Sequence, residues 1–236
     1  MTYNELIQRV SGKPFTEMLE SEIAKPLGLD GLYIGLPRSE LSRKAQLIPS
    51  ALMNPEGNTM REMRRWVLGI NRVLRVVGQP IDLEQMGSAL MPEGMDELDF
   101  DSEEYAMASI PAANGMFTAR SLAKMYAALA NDGEIDGVRL LSRDTLWRAT
   151  EVQNRTMGRV IPVPMHWRLG YHRVPTLGPS IPNGFGHQGF GGSGAWADPD
   201  RDIAVALTLN SGVGTPFGDL RIVRISTAAL RCAEKR

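Results

Sequence analysis

Between Glu151 and Asn183 the chain carries Pro162, Pro164, Pro175, Pro179 and Pro182. A proline inside a helix removes one hydrogen bond and clashes with the carbonyl one turn back. Long helices are therefore excluded from this stretch. Before it the apolar spacing is helical, and after it come short apolar runs of strand length. The expected fold class is α+β, in a single domain over 1–236. A mostly helical region spans 1–150, and antiparallel strands with a C-terminal helix span 151–236.

The individual elements follow from periodicity. Tyr3 to Val10 puts Leu6, Ile7 and Val10 on one helical face. Gly12 and Pro14 punctuate the chain, and Phe15 to Ala24 repeats the pattern with Phe15, Met18, Leu19 and Ile23. Leu32 to Ile34 is a short strand candidate, stopped by Gly35 and Pro37. Residues 58–77 are the longest helical pattern, and 82–90 suggest a shorter one. Thr118 opens a helix that Gly133 stops, with Leu122, Met125, Tyr126 and Leu129 inward, and Ser142 caps another over 143–150. Trp167 to Arg173, Phe185 to Gln188, Gly194 to Ala197 and Ile203 to Leu209 read as an antiparallel meander, and 216–232 as the closing helix.

Charge and composition exclude several functions. The net charge is −1, which provides no global field to recruit nucleic acid or an anionic membrane. Residues 58–77 hold five arginines, but no aromatic platform accompanies them, and they read as a solvated or partner-facing face. No apolar run is long enough to span a bilayer, and the N-terminus has no apolar signal core. The lone Cys232 excludes an internal disulfide and a cysteine-rich zinc site, and it fits a reducing, cytoplasmic location. The acidic run 92–104 lacks the spacing and central glycine of a calcium loop, so it reads as a solvated loop. His166, His172 and His187 come without an HExxH pair, so no metal site is expected.

Chemistry concentrates in FGHQGFGGSGAWADPDRDIAV, residues 185–205. His187 lies among Gly189, Gly191, Gly192 and Gly194, just before an apolar strand. Two readings are open: a tight hairpin, or a site wall where backbone N–H groups approach a substrate closely. For a nucleophile, no serine has glycine at both −2 and +2. The S-x-x-K spacing occurs at Ser121 and Lys124, where the amine of a catalytic pair would take the hydroxyl proton. They sit mid-helix, where polar residues one turn apart on a solvent face are common, so this pair is the lesser nucleophile candidate.

Three stretches, in order, resemble the penicillin-binding-protein-like serine hydrolases, the group that includes class C β-lactamases and carboxylesterases of the same fold. They are ELIQRVSGKPFTEMLESEIAKPLGLDGLYIGLP, then IPAANGMFTARSLAKMYAALANDGEIDGVRLLS, then WRLGYH followed by FGHQGFGGSGAWADPDRDIAVALTLN. The resemblance looks stronger to the esterase branch. It implies hydrolysis of carboxylic esters, or of β-lactams, through an acyl-serine and without a cofactor. It puts His187-Gln188-Gly189 where the family has K-T-G, makes the Phe190 amide half of an oxyanion hole, and suggests Asn114 and Trp167 as cleft-lining groups. Tyr126 reads as core. In the family the nucleophilic S-x-x-K and the catalytic tyrosine precede the helix that residues 2–11 match. The expectation is thus an incomplete β-lactamase/transpeptidase-like fold that holds one wall of a site and is inactive or nearly so alone. The alternative is a non-catalytic pseudoenzyme or assembly module. Implied partners are a small ester or amide substrate and either self-association or an N-terminal partner chain, with no nucleic acid and no membrane.

Overall fold

The computed structural model describes residues 3–48, 65, 68–72, 88–89, 94, 97–158, 163–189, 191–211 and 220–234. Helix α1 (Tyr3–Ser11) leads into α2 (Phe15–Leu19), which continues as a π-helical turn over Glu20–Ala24. Strand β1 (Leu32–Ile34) and a 3-10 turn (Arg38–Arg43) follow. Next come α3 (Glu103–Met107), β2 (Gly115–Phe117) and α4 (Ala119–Ala130). A small hairpin, β3 (Glu134–Ile135) and β4 (Val138–Arg139), precedes α5 (Arg143–Thr150). Strands β5 (Phe185–Gln188), β6 (Gly194–Asp198) and β7 (Ile203–Leu207) and helix α6 (Leu220–Ala233) complete the described chain. Of the longest helical pattern, residues 65 and 68–72 are helical; the remainder of 58–77, and all of 82–90 except 88–89, lie outside the described residues.

The three late strands form an antiparallel meander in the order β5-β6-β7. Alternation along β6 and β7 assigns its two faces. Ala195 and Ala197, with Ala204 and Ala206, face α4 and join Leu122, Tyr126, Leu129 and Phe185 in the larger core. Trp196, with Ile203 and Val205, joins Val174, Ile181 and Leu230 of α6 in the other. Small side chains on one face let α4 lie close, and large ones on the other fill the gap to α6. The sheet is thus a central layer between two helices.

Two differences from the sequence expectation have simple causes. Trp167 to Arg173 is not a strand; it touches its neighbours through isolated bridges, Asn154 with Trp167 and His172 with Gly186. Gly170, at φ +85°, turns the chain before a ladder can extend. Part of the acidic run is helical rather than loop: Ser102 accepts from the Tyr105 N–H and caps α3, a helix too short to show a period. In addition, β2 pairs with β1, Leu32 opposite Phe117, which the sequence did not mark. On α1, Leu6 and Val10 are exposed, so its apolar face is not buried by the described residues.

Gly186 lies opposite Trp196. A methyl group there would overlap the Ala195 carbonyl oxygen and lie 2.5 Å from Trp196 Cβ. Backbone atoms cannot swing aside, so Gly186→Ala is expected to cost about 2–3 kcal/mol. A urea titration at neutral pH reads this directly; a midpoint equal to wild type would contradict the close packing.

Candidate active site

Two strands and a glycine turn surround His187. His187 on β5 lies opposite Ala195 on β6, and its side chain is exposed. The turn closes by Gly189 N–H donating to the Ser193 carbonyl at 2.8 Å and Gly192 N–H to the Gly189 carbonyl at 3.0 Å. Gly192 needs its glycine, at φ +89°. Gly194 needs its own, because a Cβ would come 2.6 Å from the His187 carbonyl oxygen. The glycines therefore do serve a hairpin. The Gly189 amide is engaged within it, and Phe190 lies outside the described residues.

A cavity of about 510 Å³ opens beside this turn. Ser193 belongs to its wall, together with Tyr33, Phe100, Tyr105, Asn114 and Phe117. The Ser193 hydroxyl accepts the Leu209 N–H at 2.9 Å and so ties the turn to the end of β7. Lys44 and Asp101, also in the wall, form an ion pair, and that ammonium, with the Leu47 N–H, holds the Asp101 carboxyl below the usual carboxylate range. With its charges paired and its aromatic rings prominent, the cavity suits an uncharged, largely apolar group.

Asn114 does line the cavity, but its amide holds the loop. Its Nδ2 donates to the Tyr105 and Ala108 carbonyls, and its Oδ1 accepts the Ile110 N–H at 3.1 Å. Trp167 is half-buried, with its ring edge-on to His172 at 5.7 Å between centroids. Tyr126 is core, and burial raises its phenol pKa above the ordinary value.

Ser121 and Lys124 part company. Ser121 is buried rather than on a solvent face. Its hydroxyl donates to Asp30 Oδ1 at 3.1 Å and accepts from Thr118 Oγ1 at 2.9 Å, within the N-cap of α4. The Lys124 ammonium pairs with Asp136 at 2.9 Å. An amine held by a carboxylate elsewhere is not placed to take the Ser121 proton.

Sequence reasoning missed His172. It is buried, its ring stands 5.1 Å from that of His187, and burial lowers its pKa to about 4. Desolvation by the surrounding protein also lowers that of His187, although the residue keeps a solvent-exposed face. The available signal was its position two residues after the Gly170 turn. Among the described residues, no three His, Cys, Asp or Glu side chains converge as a metal site needs. No described helix is long and apolar enough to cross a membrane.

The family model described as Beta-lactamase matches residues 3–230. The chain belongs to the β-lactamase family. This family member is 37% identical over 207 residues to a protein named esterase/beta-lactamase LipL from Mycobacterium tuberculosis (strain ATCC 25618 / H37Rv), covering 87% of the chain and 45% of that relative. A penicillin-binding protein homolog from Caulobacter crescentus superposes with a TM-score of 0.74 at 30% identity, covering 97% of this chain and 55% of that one. A family VIII carboxylesterase superposes with a TM-score of 0.73 at 27% identity, over 97% of this chain and 55% of its own. The chain thus has the β-lactamase/transpeptidase fold and spans about half the length of these relatives.

Proposed function

We propose that this chain forms one wall of a carboxylic ester hydrolase working through an acyl-serine, and that by itself it turns over esters little or not at all. The observation that carries the reading is the end of β5, His187-Gln188, which runs through Gly189 into a turn whose Ser193 lines the apolar cavity; His187 and Gly189 themselves are not part of its wall. Esters are favoured over β-lactams because one solved relative is a carboxylesterase; the relative named esterase/beta-lactamase fits either substrate. In such a reaction a serine oxygen bonds the acyl carbon, the alcohol leaves with a proton, and water then releases the acid. The uncharged acyl group would occupy the cavity, and His187 would donate a hydrogen bond toward the reacting oxygen. Low turnover by the chain alone is supported by the separate engagements of Ser121 and Lys124. The same observation favours a second reading, a non-catalytic binding or assembly module.

Hydrolysis of p-nitrophenyl butyrate, with a fluorophosphonate probe and intact-mass detection, separates these. Folded chain is expected to give background turnover and no stoichiometric adduct, in wild type and Ser121→Ala alike. Robust turnover abolished by Ser121→Ala would overturn the assignment. NMR with methyl butyrate tests the substrate class: shifts at His187, Gly189 and the cavity residues are expected, and none at saturating ester would remove the ester reading.

A further inference from the structure

His172 and Gly186 exchange both backbone hydrogen bonds, at 2.8 and 3.2 Å. In an antiparallel ladder the next exchanging pair would be Gly170 with Gln188. The chain has already turned at Gly170, and its Arg168 N–H closes the turn on the Tyr171 carbonyl at 2.9 Å. The Gln188 N–H would then be left without a ladder acceptor. It instead donates to Nε2 of the His172 ring at 3.1 Å. The other ring nitrogen, Nδ1, faces the Arg173 carbonyl at 2.8 Å.

These two contacts settle the proton. A carbonyl only accepts, so Nδ1 carries the hydrogen; a backbone N–H only donates, so Nε2 is bare. The ring is held as one neutral tautomer, with Trp167 edge-on to it and His187 in ring contact at 5.1 Å. We infer that His172 is a positioning residue for His187: its ring replaces the missing ladder carbonyl, fixes the backbone of Gln188, and supplies the surface against which the His187 ring is oriented. The inference rests on the reading of His187 as a site residue. It gives His172 itself no contact with substrate.

Long-range proton–nitrogen NMR on histidine-labelled protein, together with amide exchange at Gln188, tests it. Wild type is expected to show His172 as the Nδ1–H tautomer at neutral pH. His172→Phe is expected to speed Gln188 amide exchange roughly five- to tenfold, the loss of one hydrogen bond, and to move the titration midpoint of His187. His172→Gln keeps an acceptor oxygen and is expected to restore most of the Gln188 protection. An Nε2–H tautomer, an unchanged His187 titration in His172→Phe, or equal disturbance in both variants would each overturn the inference. Should the Phe variant not fold, the wild-type tautomer and the Gln variant still decide. None of these measurements needs turnover, so failure of the ester reading would not be mistaken for failure here.

Discussion

Replacing Trp196 by alanine is expected to lower the unfolding free energy by about 3–5 kcal/mol. The indole is only 1% exposed and sits at the centre of the cluster formed by Val174, Ile181 and Leu230, with Ile203 and Val205 against it. Its removal would leave a cavity between sheet and α6, because the backbone of β6 is held on both sides by β5 and β7 and cannot collapse into the space. There is also a polar cost. Trp196 Nε1 donates to Ser226 Oγ at 2.8 Å, and alanine would leave that buried hydroxyl without its donor. Trp196→Phe restores most of the volume but not the donor, so it is expected to recover roughly half the loss. Urea titrations of the three proteins measure this. A Trp196→Ala midpoint within error of wild type would mean that α6 does not seal the sheet as described.

Acidification from pH 7 to pH 4 is expected to remove about 3 kcal/mol of stability through His172 alone. The folded pKa, about 4, lies below the ordinary value of 6.5 because burial penalises the imidazolium. The Arg173 carbonyl, which accepts from Nδ1, works the other way, while His187 and Arg168 add to the lowering. Between those two values the unfolded chain binds the proton and the folded chain does not. Stability is therefore complete above about pH 6.5 and falls progressively as pH drops toward 4. The shift of roughly 2.5 units corresponds to about 3 kcal/mol. Protonation also removes the Nε2 acceptor from the Gln188 N–H, so the acid loss starts at β5. His172→Gln has no such proton to bind, and its stability is expected to vary less across this range. Identical slopes for the two proteins between pH 6.5 and 4 would rule out His172 as the source.

Elements with a strong local signal were legible. The bounds of β1, α5 and β5 match the sequence pattern, Ser142 caps the helix it was expected to cap, and Thr118, expected to open its helix, is that helix's N-cap. Sequence did not mark β2, because the three residues Gly-Met-Phe are too few to show alternation and become a strand by pairing with β1. The site was legible only as a segment. The glycines left a tight hairpin and a site wall both open, and the hydrogen bonds of Gly189 and Gly192 form the hairpin. What they could not show is where the amides point: the Gly189 N–H closes the hairpin. Ser121 looked surface-exposed because its spacing in α4 was read without Asp30, which reaches it from 91 residues away. His172 was invisible for a related reason. Its importance comes from a ladder position that the Gly170 turn leaves vacant, and that vacancy exists only once β5 is in place.

Arg168 shows what this packing does mechanically. Its Nε donates to the carbonyl of Thr150, the last residue of α5, at 2.6 Å, and its Nη2 to the Pro182 carbonyl at 3.2 Å, just ahead of β5. The side chain is 8% exposed. A rigid planar group thus bridges the end of a helix and the entry to the strand that bears His187. The two hydrogen bonds tie the end of α5 directly to the entry of β5, in addition to the covalent chain between them. A lysine, with a single flexible ammonium, would replace that bridge with a tether.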